Sequence, residues 1–83
     1  MTESEILNII QKAIREEADA GDLVVTTEMS ASDVPGWDSL AHSRIMLSIE
    51  IAIDRRIDIN ATYRASTIGD LAEVIRKAVD SQG

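Results

Sequence analysis

Gly36-Trp37-Asp38-Ser39-Leu40-Ala41-His42-Ser43-Arg44-Ile45-Met46-Leu47-Ser48-Ile49-Glu50-Ile51-Ala52-Ile53 is the stretch that decides the fold. It follows a turn signal, Val34-Pro35-Gly36-Trp37-Asp38, in which Pro and Gly punctuate the chain. From Leu40 to about Ile53 apolar residues recur at helical spacing. Ile45, Ile49 and Ile53 make one stripe at four-residue intervals, bordered by Met46. Leu40, Leu47 and Ile51 make a second stripe, rotated around the axis. One stripe can face a core. The other is then exposed, and exposed apolar surface often marks a partner site. Simple core packing is the competing reading of Leu47.

Before this stretch, Glu3 to about Glu17 reads as an amphipathic helix with Ile6, Ile10, Ala13 and Ile14 on its apolar face. Thr2 and Glu5 fit a capping box at its start, and Gly21-Asp22 mark its exit. Residues 18–38 form a long connection whose apolar islands, Leu23, Val24, Val25 and Met29, predict that it lies across the helices. A strand over 23–27 is discounted, because no second β-rich run exists to pair with it. After the stretch, Asp54–Asp58 breaks the pattern, and Ile57 and Ile59 are expected to tuck back to the core. Asn60–Ala65 reads as one or two helical turns capped by Asn60. Thr67 and Asp70 suggest a second capping box, ahead of a helix with Ile68, Leu71, Val74, Ile75, Ala78 and Val79 on its apolar face. Ser81-Gln82-Gly83 reads as a frayed tail. The expectation is an all-α four-helix bundle, with a short third helix and a long first loop, in a single domain spanning 1–83.

Composition narrows the function. An 83-residue body leaves little room for a deep catalytic cleft. With no cysteine, disulfides, thiolate metal sites and cysteine nucleophiles are excluded, and one histidine cannot build a histidine metal cluster. No apolar run approaches the roughly 20 residues of a membrane span, and no signal peptide is evident, so a cytoplasmic location is expected. The net charge of −7 argues against a nucleic-acid partner. Residues 1–38 hold nine acids and two bases, whereas residues 39–83 hold six of each. This asymmetry serves solubility, or it attracts basic partner surfaces to the first half.

Ser39 is the centre of chemical interest. Without further context, Ser39 or Asp38 is an ordinary helix N-cap. The same position also suits a phosphate ester, because a helix start offers unpaired N–H donors and a positive dipole end. His42, one turn on, invites a hydrolase reading. That reading fails for want of an oxyanion loop or a Gly-x-Ser-x-Gly motif. His42 is expected to be solvated beside Ser39, and Trp37 is either loop packing or part of a partner surface.

Here the chain resembles the acyl carrier protein family. The likeness rests on Asp38-Ser39-Leu40 within Gly36-Trp37-Asp38-Ser39-Leu40, on the loop before it and the apolar helix after it, and on Thr67-Ile68-Gly69-Asp70-Leu71. It extends from Glu5 to Val79. The resemblance implies a carrier rather than an enzyme. It implies 4'-phosphopantetheine esterified to Ser39 by a phosphopantetheinyl transferase, with Asp38 part of the attachment motif. The arm's thiol would then hold acyl or aminoacyl groups as thioesters for fatty-acyl, polyketide or aminoacyl assembly. Loading and downstream biosynthetic enzymes are the implied partners, and a monomer is expected. Leu40 and Leu47 match partner-facing positions of the family. Trp37, Arg44 and Ile51 join them as candidates. The family's second helix is typically acidic. Residues 39–53 carry only Glu50 and Arg44, which suggests a dedicated partner set with a less basic, more apolar surface, or else simple drift of the charge pattern. The Gly-Trp-Asp-Ser-Leu wording leans toward a discrete carrier of a specialised pathway. An unmodified acidic helical adaptor is the alternative.

Overall fold

The computed structural model describes residues 1–80. The tail expected at Ser81-Gln82-Gly83 lies outside the described residues. The chain forms α1 (Glu3–Glu17), α2 (Ser39–Ile53), α3 (Ile59–Arg64) and α4 (Ile68–Asp80), with a 3-10 turn at Ala31–Asp33 inside the first connection. The described residues contain no strand. Helix α1 packs against α2 and α4, and α3 packs against α4.

Each helix starts where a side chain satisfies its orphan N–H groups. Thr2 Oγ1 accepts from Glu5 N at 3.2 Å and Thr2 N donates to Glu5 Oε1 at 2.8 Å, which completes the expected capping box. Asp38 caps α2 by accepting from Ala41 N at 2.8 Å. At α3 the expectation was wrong by two residues. Asp58, not Asn60, is the cap, accepting from Asn60 N at 3.1 Å and Ala61 N at 3.3 Å. A carboxylate ahead of the turn has the reach that Asn60, already inside it, lacks. At α4, Thr67 Oγ1 accepts from Asp70 N at 3.1 Å, but Asp70 returns to Ser66 N rather than to Thr67 N, so the box is only half formed.

The core is aliphatic. Ile6, Ile10 and Ile14 of α1 meet Ile45, Met46 and Ile49 of α2, with Ile68 and Ile75 of α4 closing the third side. Each such side chain contributes about 1.5–3 kcal/mol by leaving water. Ile57 tucks in as expected, whereas Ile59 is 40 % exposed. Ile59 opens α3, and Thr62, three residues on, occupies the buried position that Ile59 was expected to take.

The long connection is stitched down at both sides. Arg15 Nε donates to the Leu23 carbonyl at 2.8 Å, and Gln11 Oε1 accepts from Val25 N at 2.9 Å. The Met29 and Thr27 carbonyls accept from Ile68 N and Gly69 N at 2.6 and 2.9 Å, so the loop supplies acceptors to the first turn of α4. Leu23, Val25 and Met29 pack on the core, as their spacing predicts, while Val24 points outward. The loop ends at Gly36, whose φ of 82° is available at low cost only to glycine. A Cβ there would lie 2.6 Å from Asp19 N. That close approach delivers Trp37 and Asp38 to the start of α2.

Candidate functional site

Helix α2 places Ser39 as its first residue, exposed at the end of the loop. Asp38, not Ser39, is the cap, and its carbonyl also accepts from His42 N at 2.8 Å. The Ser39 hydroxyl is therefore spare: no hydrogen bond occupies it among the described residues, and only the Ser39 carbonyl is engaged, by Ser43 Oγ at 3.4 Å. A negative group carried on that oxygen would sit at the positive end of a 15-residue helix.

A groove of about 330 Å³ opens beside Ser39. Trp37, His42, Thr62, Tyr63, Ile68 and Leu71 contribute to its walls, so α2, α3 and α4 all meet there. Its polar side is a single ordered chain. The Trp37 indole N–H donates to His42 Nδ1 at 3.1 Å. Indole nitrogen has no acceptor capacity, so Nδ1 must carry the lone pair. The imidazole proton therefore resides on Nε2, which donates to Thr62 Oγ1 at 2.8 Å. The Thr62 hydroxyl then donates to the Ile59 carbonyl at 2.6 Å. Tyr63 stacks on the imidazole with ring centroids 4.1 Å apart. Burial of His42, only 7 % exposed, pushes its pKa below the ordinary imidazole value.

This arrangement corrects the sequence expectation for His42. The residue is not solvated at the attachment edge but buried as a bridge between the turn and α3. Both ring nitrogens are engaged away from Ser39, so the Ser39–His42 pair lacks the hydrogen bond of a nucleophile and its base. Trp37 is half-buried, packed against the core with its N–H donated to His42. Thr62 and Tyr63 were missed. Their distance in sequence from the motif gave no sign that α3 closes over His42.

The outer face of α2 is arranged as the two-stripe pattern predicts. Ile45, Met46, Ile49 and Ile53 are buried, while Leu40, Leu47 and Ile51 are 62 %, 58 % and 73 % exposed. Arg44 is exposed with them. The described residues hold no cluster of metal-ligating side chains, and no helix among them is long and apolar enough to cross a membrane.

No protein-family model and no curated protein matches the chain. Among solved structures it is similar to a holo acyl carrier protein from Geobacter metallireducens, determined by solution NMR. The two share 26 % identity over 98 % of this chain and 88 % of the other, with a TM-score of 0.75. The likeness seen in Gly36–Leu40 and in Thr67–Leu71 thus extends across the described fold: the chain has the acyl carrier protein architecture.

Proposed function

We propose that this chain, an acyl carrier protein in motif and architecture, is a discrete carrier whose Ser39 holds a 4'-phosphopantetheine arm. The observation that carries the reading is a free, exposed hydroxyl on the first residue of α2 in a fold shared, over 98 % of the chain, with a holo acyl carrier protein. The residues present fit the group. Ser39 is open to a transferase, the Ser39 and Leu40 N–H groups have no acceptor among the described residues, and the adjoining groove offers an apolar and aromatic wall. When bound, the arm supplies the thiol that a cysteine-free chain lacks.

The protein's own residues do three things in this reading. Asp38 fixes the first turn, so that Ser39 projects at a defined point. The Trp37–His42–Thr62 chain holds α3 against that turn and keeps the groove wall in place. Leu40, Leu47 and Ile51 give the enzymes that load and use the cargo an apolar surface next to the attachment point. The chain itself is a carrier, not a catalyst. A cytoplasmic monomer serving a phosphopantetheinyl transferase and the acyl- or aminoacyl-handling enzymes of a specialised pathway accounts best for the small acidic body and the uncommon charge pattern of α2.

The test is intact mass after incubation with coenzyme A, magnesium and a broad-specificity phosphopantetheinyl transferase, beside a Ser39→Ala control. The expected result is a gain of one phosphopantetheine in the native chain only. An unmodified adaptor using the same apolar stripe would gain nothing from any transferase and would keep its activity in Ser39→Ala.

A further inference from the structure

Among the described residues the buried polar side chains are His42 and Thr62, and each is the other's partner. They come from different helices, and both line the groove beside Ser39. The relay from the Trp37 indole through His42 and Thr62 to the Ile59 carbonyl crosses from the turn before α2 to the start of α3. Each of its polar atoms has a partner within the relay. Tyr63, itself exposed, stacks on the imidazole and covers it.

Inward of the relay the bundle is aliphatic. Ile45 and Met46, about one turn beyond His42 on α2, are fully buried, as is Ile75 of α4. On the α4 side the groove is walled by Ile68 and Leu71, both buried. An apolar group tethered near Ser39 would gain by leaving water for that interior. To enter between α2 and α3, it must part His42 from Thr62. A hydrocarbon brings no donor or acceptor to replace theirs, so the imidazole N–H would be left buried and unpaired. An apolar pair at positions 42 and 62 would part without that penalty.

Resting on the carrier reading, we propose that the hydrogen-bonded pair His42–Thr62 bars the bundle interior and so sets cargo specificity: the carrier keeps its cargo outside the core and is suited to short or polar acyl groups, aminoacyl groups included. A long apolar chain shut out of the core would stay in water, whereas a short or polar one loses little by remaining there.

The test loads the full chain, labelled with nitrogen-15, from acetyl- or octanoyl-coenzyme A with a broad-specificity phosphopantetheinyl transferase, and confirms loading by mass. In the native chain the amide shifts of Ile45, Met46, Ile49 and Ile75 should be the same in both forms. Hydroxylamine should cleave each thioester at the rate of the corresponding free acyl-pantetheine. Two variants open the bar: Thr62→Ala removes the acceptor of Nε2–H, and His42→Leu replaces the imidazole with an apolar side chain. In each variant that keeps the native circular dichroism, octanoyl should shift the core amides and resist hydroxylamine on the order of tenfold longer than acetyl, the scale of one lost hydrogen bond. A merely structural role for the pair would move the acetyl and octanoyl forms alike. Octanoyl-dependent core shifts or protection in the native chain would overturn the proposal, as would a folded variant that still excludes octanoyl. A chain that takes up no phosphopantetheine from any donor removes the carrier reading and this proposal with it. A chain that loads and then buries octanoyl removes this proposal alone.

Discussion

The Trp37 indole N–H points at His42 Nδ1 across 3.1 Å, and that one bond fixes which nitrogen of the imidazole is protonated. Because the donor cannot become an acceptor, a protonated imidazole would set two N–H groups against each other. Together with burial, this ties the neutral form of His42 to the folded state.

The stability of the protein should therefore depend on pH through His42. Its folded pKa lies below the ordinary 6.5, and burial is the cause. As pH falls below that ordinary value, the unfolded chain takes up the proton first, so the native state loses ground. The contribution is complete above the ordinary imidazole value and is lost as pH falls toward the lowered one. Denaturant titrations at stepped pH values on the native chain and on His42→Asn should differ in this window, with the native chain showing the steeper decline on acidification. Parallel curves would refute the assignment.

Thr62→Val keeps the shape of the side chain but removes the acceptor of Nε2–H. A buried donor left without a partner costs about 1–3 kcal/mol. Trp37→Phe, which removes the donor to Nδ1 together with part of the indole that packs on the core, should cost about 1–3 kcal/mol and raise the His42 pKa toward its ordinary value, read from imidazole shifts in an NMR titration.

Gly36→Ala should be strongly destabilising, by about 2 kcal/mol or more, because a positive φ and a Cβ 2.6 Å from Asp19 N act together. At Gly21 an added Cβ meets nothing within 4 Å, so Gly21→Ala should stay within about 0.5 kcal/mol of the native chain. Urea unfolding of the pair checks both.

Ser39→Ala should leave stability within about 0.5 kcal/mol, because the cap is Asp38. Asp38→Ala should cost about 1 kcal/mol, and Asp38→Asn much less. In the mass assay Ser39→Ala should accept no phosphopantetheine. A modified Ser39→Ala chain would mean that another hydroxyl is the target.

The two faces of α2 should separate cleanly. Ile49→Ala empties a fully buried position and should cost about 2–5 kcal/mol. Leu47→Ala and Ile51→Ala, on exposed positions, should each stay within about 0.5 kcal/mol. Thermal melts followed by circular dichroism would measure all three.

Much of this was legible in the residues. Helix α1, its capping box, both stripes of α2 and the apolar face of α4 follow from periodicity, because a helix places neighbours by spacing alone and burial must match the apolar side. Ser39 at a helix start was legible for the same reason: a Pro-Gly turn followed by a helical repeat leaves few places for the first residue. Which of Asp38 and Ser39 serves as the cap was not, since either type can do so.

What only the tertiary structure decided lies between elements. His42 looked solvated because it is polar and stands next to an exposed serine. It is buried because Trp37, Thr62 and Tyr63 close around it, and Thr62 arrives from 20 residues away. Ile59 looked like core and is exposed, because the Asp58 cap sets the phase of α3 and brings Thr62 inward instead. Sequence determines the pattern along one helix, where the geometry repeats. Contacts between helices depend on where a loop such as 18–38 returns the chain, and that is set by the packing of the whole.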